Sequence, residues 1–360
     1  MTELKDAQKH EESPILWIGD DVSKDSFTAA ASFPALEDVV YPADSGTFEN
    51  NRGGARRLYR WIGELEDRFK SPAGVAMEAT GTYSTRLYEN LKKIRSELHV
   101  SICNPTSVSY YMLSRSMNKT DKADAAFIAW YAAHIRPGRY TELSKDQEKL
   151  RCLSRDRDFL VDNRTEFQNR MEAAQDSSSR QRMKNVITTI NAQIDKIDTE
   201  IKNYLREKAS KECRDEIDLM QTVPGVGMLS AAIIYGELGS LAGYTRKQLS
   251  AMSGICPTTR QSGTSLHKGG LSKRGSKWLR RILYLDSTQT IRRSPAMAAF
   301  HQRMLKKPDS SKMSARVACM RKLLLILRGI VVSGKAYDKK HVSVRPDQQS
   351  KNLEKSEKTA

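Results

Sequence analysis

The chain has 360 residues, with 60 Lys and Arg against 43 Asp and Glu, for a formal net charge of +17. This length accommodates roughly two or three domains with sizeable cores, and so basic a balance points to nucleic acid or another polyanion as partner while leaving the fold open. Five scattered cysteines (Cys103, Cys152, Cys213, Cys256, Cys319), never paired as C-x-x-C, argue against a disulfide framework or a zinc ribbon. No apolar run approaches about twenty residues, so no membrane partner is expected and the expected compartment is the cytoplasm.

The start, residues 1–14, is polar and reads as flexible. From there to about residue 143, strand-like and helix-like runs alternate. "ILWIGDD" and "SFTAAASF" form a hairpin across "VSKD". "GTFEN" is a third strand, and "GGARRLYRWIGELEDRF" a helix with Leu58, Trp61, Ile62 and Leu65 on one side. "AGVAMEATG" is a short apolar strand ending at Glu78, followed by the helix "STRLYENLKKI" and the strand "HVSICNP", closed by Pro105. "NKTDKADAAFIAWYAAH" is a polar loop entering a helix. This order predicts a mixed α/β layer fold for residues 15–143.

Residues 144–210 are charged and contain no Gly or Pro. Met183, Ile187, Ile190, Ile194, Ile197, Ile201 and Tyr204 recur in steps of four and three, a heptad seam that predicts a coiled coil. The break "QDSSSRQ" suggests two long helices folding back as a hairpin or pairing with a second chain. Residues 211–338 read as a mainly helical domain with a basic Gly/Ser-rich stretch at 253–276. Residues 339–360 lack apolar content and are expected to be a disordered tail.

The charge is concentrated. From Lys268 to Lys335 there are 17 Lys and Arg and only two acids, Asp286 and Asp309. A solvated surface has no need of such one-sidedness, whereas a phosphate backbone does.

Two sets of residues carry candidate chemistry. Asp21 ends the first strand, Glu78 ends the fourth, and Asp121 and Asp124 share a face of the following helix. Acids so gathered would repel unless a hard divalent cation such as Mg²⁺ lay between them, and two such ions support phosphoryl transfer. The plainer alternative makes Asp121 and Asp124 a helix cap and dipole partner. In the third region, "TVPGVG" resembles a helix-hairpin-helix turn, in which Gly225 and Gly227 would offer backbone N–H groups to phosphate. A plain helical hairpin is the alternative. Beyond it, Ser262 precedes a glycine among cations, with Arg260 upstream and His267, Lys268, Lys273, Arg274 and Lys277 downstream. A hydroxyl so placed can attack a phosphodiester, although Ser253, Ser265, Ser272 and Ser276 lie in the same stretch.

Taken in order, "IGDDVSKD", "MEATGTY", "KTDKADA", "TVPGVG", "GICPTTRQSG" and "LSKRGSKWLRR" resemble the insertion sequence one-ten family of transposases, from about residue 15 to Asp338. The resemblance implies an RNase H-like (RuvC-like) DEDD domain, a central coiled coil and a helical domain with a catalytic serine. It implies that Asp21, Glu78, Asp121 and Asp124 bind Mg²⁺ and that Ser262 forms a phosphoserine link to DNA. It further implies donor and target duplexes as partners, a bridge RNA as guide, and a dimer to tetramer whose active site combines the acids of one subunit with the serine of another. Gly225, Gly227, Arg260, Lys268, Lys273, Arg274, Lys277, Arg280 and Arg281 are the expected nucleic-acid-binding residues.

One departure is Asp20, where the family usually has an apolar residue. Strand alternation puts Asp21 with Trp17 and Gly19, and Asp20 with Leu16 and Ile18. Asp21 also precedes "VSK", as the family aspartate does. It is therefore the expected ligand, and Asp20 is expected at the sheet's end, solvated or paired to a base. Rival readings are a RuvC-like nuclease using water, a DNA invertase without a guide RNA, and a non-enzymatic DNA-binding protein.

Overall fold

The computed structural model describes residues 16–32, 46–113, 121–262, 265–308 and 310–339. The expectations of a flexible start and of a disordered tail beyond Lys339 fall outside these residues. The chain divides into two compact units, Met1–Glu142 and Leu143–Ala360.

In the first unit the order is β1 (Leu16–Val22), β2 (Ser26–Ser32), β3 (Thr47–Glu49), α1 (Arg52–Phe69), β4 (Ala73–Glu78), α2 (Thr82–Ile94), β5 (His99–Cys103), α3 (Pro105–Leu113) and α4 (Asp121–Ile135). The strands form one sheet in the order β3-β2-β1-β4-β5. The first three are antiparallel neighbours, whereas β4 and β5 join β1 in parallel. This mixed sheet fits the RuvC-like arrangement.

Alternation along the strands divides the unit into two layers. Leu16, Ile18 and Val22 of β1, with Val75 and Met77 of β4, pack with Leu58 and Ile62 of α1 and Leu87 and Leu91 of α2. Trp17, Ala76 and Cys103 point the other way, into a cluster with Ile128 and Ala132 of α4. Helix α4 lies so close to β1 that a Cβ on Gly19 would stand 2.2 Å from the Ala129 nitrogen and 2.3 Å from the Ala125 oxygen. Helix α3 was not anticipated. Pro105, read as the end of a strand, is the first residue of a helix, where its missing N–H leaves no bond unmade.

The second unit begins with α5 (Lys145–Ala173) and α6 (Ser177–Glu207). They run antiparallel as a hairpin, tied by Lys149–Glu200 (2.7 Å), Arg157–Asp198 (2.5 Å) and Arg164–Asn191 (3.3 Å). The expected break is a helix start, with the Asp176 carboxylate accepting from the Ser179 N–H at 2.8 Å. Ile194 and Ile201 of the heptad seam are buried, and the rest of the seam is half-buried.

Then follow α7 (Lys211–Gln221), α8 (Met228–Leu238), α9 (Arg246–Met252), β6 (Pro257–Ser262), β7 (Ser265–Leu271), α10 (Lys277–Arg293), α11 (Pro295–Leu305) and α12 (Lys312–Ser333). One core gathers Leu150, Ile201, Ile217, Ile234, Leu283 and Leu323 from six of the helices. The unit is mainly helical, as expected, but the basic Gly/Ser-rich stretch pairs with itself as a two-stranded antiparallel ribbon. Its composition lacks the apolar alternation that announces a strand. Among the described residues no helix is long and apolar enough to cross a membrane.

Candidate active site

The parallel register of β1 and β4 sets Asp20 beside Met77. The next residues, Asp21 and Glu78, therefore stand at neighbouring strand ends. Both share the parity of Trp17 and Ala76, so both belong to the face that α4 covers. Because Gly19 abuts Ala125 and Ala129 while Trp17 packs with Ile128 and Ala132, α4 runs antiparallel to β1. Asp21 thus faces the first turn of α4, where Asp121 and Asp124 lie. Asp21, Glu78 and Asp124 are all half-buried, and Asp124 Oδ1 is shielded from solvent. Glu78 pairs in register with Cys103 of β5. Burial and, after it, the Glu78 charge push the Cys103 thiol up to about 11. The Asp121 side chain lies outside the described residues.

Asp20 is not where alternation alone was expected to leave it. Instead of being solvated or paired to a base, it is 0% exposed, and among the described residues neither carboxylate oxygen has a hydrogen-bond partner. The reason is strand length: β1 continues to Val22, which places Asp20 inside the sheet between Ala29 and Met77. Its side chain shares the face of Ile18 and Val22, away from α4. Burial raises its carboxyl well above the usual range, with the adjacent Asp21 charge adding to the effect.

Among the described residues no group of three or more His, Cys, Asp or Glu stands in metal-holding geometry. The donor set nevertheless suits a hard cation. It is all oxygen, it is assembled from two strand ends and one helix, and the close approach at Gly19 brings that helix onto the strand.

In the second unit, α7 and α8 are joined by the turn Thr222–Gly227. Gly225 adopts φ +98°, and a Cβ there would lie 2.6 Å from the Thr290 nitrogen of α10, so this turn is seated on that helix. Gly227 is the exposed N-cap of α8, with open space around it. Ser262 is the last residue of β6, opposite Ser265, at the tip of the ribbon. Arg260 and Lys268 lie on its two strands. The side chains of all three, Ser262, Arg260 and Lys268, fall outside the described residues.

Lys273, Arg274 and Lys277 are exposed beyond the ribbon, with the Lys277 ammonium 4.8 Å from the Trp278 ring centre. Arg280 and Arg281 are engaged within the protein. Arg280 donates to the carbonyls of Ser253 and Gly275, both at 3.3 Å. Arg281 pairs with Asp158 (2.8 Å) and Asp162 (2.5 Å) of α5.

A buried carboxylate that sequence reading passed over lies close by. Glu237 is 3% exposed. It pairs with Arg155 through both oxygens (3.0 and 3.4 Å), lies 3.8 Å from Arg151, and accepts from the Ser276 hydroxyl at 2.8 Å. The available signal was a lone charge in the otherwise uncharged helix "MLSAAIIYGEL". Asp286 on α10 is a second buried acid. It accepts from the Ser230 hydroxyl at 2.7 Å, and burial pushes it up to about 7.

A five-stranded mixed sheet with acids at the ends of its central strands, followed in the chain by a basic, mainly helical unit, fits the organisation of a DNA transposase. Residues 18–178 match a family described as "Transposase", of the DEDD type, and residues 217–302 match one described as "Transposase IS116/IS110/IS902 family". The chain belongs to the IS110 family of insertion-sequence transposases. It is 29% identical over 328 residues to a pilin gene-inverting protein of Moraxella bovis, covering 90% of this chain and 98% of that one. A pilin gene-inverting protein of Moraxella lacunata is 28% identical over a similar span, with the same coverage. A transposase for insertion sequence element IS1111A of Coxiella burnetii is 28% identical over 209 residues, covering 51% of this chain and 57% of that protein. Recombination of DNA is the activity of the family, and the DEDD domain type suggests dependence on a divalent metal.

Proposed function

We propose that this protein recombines DNA through a covalent serine–DNA intermediate, with Asp21, Glu78, Asp121 and Asp124 holding Mg²⁺. Bound there, the metal would neutralise charge developing on the phosphate oxygens. Ser262 gives up its hydroxyl proton as its Oγ bonds to phosphorus. The bond from phosphorus to the departing deoxyribose oxygen breaks, and that oxygen leaves with a proton. The reverse displacement, by the hydroxyl of an incoming strand, rejoins the DNA and frees the serine.

The observation that supports this reading is the pairing of two features in one chain: acids at two neighbouring central strand ends and in the first turn of the helix beside them, and a serine at the tip of a ribbon. The acids of one subunit serve the serine of another in a dimer to tetramer assembled through the α5–α6 hairpin. A bridge RNA selects the donor and target duplexes. The exposed cations Lys273, Arg274 and Lys277, with Arg260 and Lys268 on the ribbon and the open helix start at Gly227, hold the nucleic acid. The protein works in the cytoplasm, at the nucleoid.

The test is covalent trapping on DNA together with recombination in cells. Ser262→Ala should form no adduct, and Asp121→Ala should neither form one nor recombine. An adduct from Ser262→Ala would overturn the serine assignment. Sequencing of RNA that co-purifies with the protein examines the guide separately.

The near-complete coverage of the two pilin gene-inverting proteins favours a second reading, site-specific inversion. Inversion between inverted sites, with no excised circle and no co-purifying RNA, would support it.

A further inference from the structure

The ribbon that carries Ser262 is rooted in a compact clasp. Ser272 N–H donates to the Cys256 carbonyl (2.9 Å), Lys273 N–H to Gly254 (3.2 Å) and Ser276 N–H to Met252 (2.8 Å). The two backbones cross so tightly that a Cβ on Gly275 would stand 2.1 Å from the Met252 oxygen and 2.4 Å from the Gly254 nitrogen. Arg280 braces the same crossing through Ser253 and Gly275.

Ile255 anchors this clasp in the core of the unit, and a polar tie adds to that anchor. Ser276 is the N-cap of α10: its hydroxyl oxygen accepts from the Leu279 N–H (3.1 Å) while its hydroxyl proton goes to Glu237 (2.8 Å). Glu237 in turn grips Arg155 of α5 as a fork, and the Arg155 guanidinium lies 4.0 Å from the centre of the Trp278 ring. Four residues of α5 spaced four, three and four apart (Arg151, Arg155, Asp158, Asp162) form a polar stripe, and all engage either Glu237 or Arg281. Gly236 lets α8 press onto this stripe, since a Cβ there would lie 2.8 Å from the Arg151 nitrogen.

Stability alone does not call for such an arrangement, because apolar side chains would fill the seam at no desolvation cost. Paired charges do something apolar packing does less well. They allow one lateral and rotational setting of α10 on α5.

We infer that Glu237 is a positioning residue. Through Ser276 and Arg155 it locks the root of the serine ribbon to helix α5, so that the ribbon's direction is set by the α5–α6 hairpin. The inference rests on the proposed role of Ser262 only for its consequence in catalysis; the lock itself is a property of the fold.

Glu237→Gln keeps the shape but has one acceptor oxygen and no charge, so it cannot hold Ser276 and Arg155 together. Ser276→Asp keeps an N-cap but sets a second carboxylate against Glu237. With full-length protein, both variants should raise amide exchange of residues 257–271 at least tenfold, leaving exchange in α7 and α12 within twofold of the parent. In cells carrying the intact element, Glu237→Gln should lower junction formation at least tenfold, and its duplex-DNA affinity should stay within twofold. Ser276→Thr, which retains both cap and donor, should restore both readouts. Unchanged exchange in the ribbon, or a rise spread evenly over the unit, overturns the inference. Should Ser262→Ala still recombine, the serine reading fails, while the exchange data still decide the lock.

Discussion

Replacing Asp286 by Asn should weaken the dependence of the C-terminal unit's stability on pH. Asp286 is 4% exposed; one oxygen accepts from Ser230, and the other has no hydrogen-bond partner among the described residues. Burial lifts its carboxyl from the ordinary 3.8 to about 7. Between those values the folded protein keeps a proton that the unfolded chain releases. Stability contributed by the protonated carboxyl is therefore full below the unfolded pKa and is lost as pH rises to the folded one. At 1.36 kcal/mol per pH unit, the roughly three units between the two values cap the loss at about 4 kcal/mol. Asn keeps an acceptor for Ser230 and carries no charge at any pH. The variant should be more stable than the parent by about 2–4 kcal/mol near pH 8, and by about 1 kcal/mol or less near pH 4.5. Urea titration of the full chain, with amide exchange followed in α8 and α10, measures the difference. An equal gain at both pH values would refute the reasoning, because the benefit would then come from packing and not from the buried charge.

Four further predictions test the acidic strand ends. Asp21→Asn should abolish recombination in cells, whereas Asp20→Asn should largely preserve it; loss of activity in both would mean that the two faces of β1 do not divide the work. Asp20→Val should raise the denaturation midpoint of the N-terminal unit by an amount equivalent to about 2 kcal/mol, since it removes a buried carboxyl that has no hydrogen-bond partner among the described residues; a lower midpoint would argue against that burial. Gly19→Ala should cost about 3 kcal/mol or more and lower activity with it, because its Cβ would meet the α4 backbone at 2.2 Å; a fully active, stable variant would place α4 farther away. Chelation with EDTA should stop DNA strand breakage and added Mg²⁺ restore it; breakage that persists without divalent metal would sink the metal proposal.

Much of the first unit was legible because its signals are local. Alternating runs and turn residues placed β1, β2, β4 and β5, and parity along β1 separated Asp21 from Asp20 before any packing was known. Helix α3 was missed because Pro105 serves equally well to close a strand or to open a helix. In the second unit, the absence of chain breakers foretold the α5–α6 hairpin. The β6–β7 ribbon has no apolar alternation, and its pairing is decided by the clasp at Gly254 and Gly275.

By itself the sequence determined the family, the order of the acids along the chain and the concentration of positive charge, because these reside in residue types and their order. Only the tertiary structure decided that Asp20 is sealed inside the sheet. It likewise decided that Arg280 and Arg281 are engaged within the protein, and that Glu237 joins the serine ribbon to α5. Each depends on what a side chain meets far along the chain, across 82 residues for Arg155 and Glu237 and 119 for Asp162 and Arg281. Such meetings follow from how helices and strands pack, and no local pattern records them.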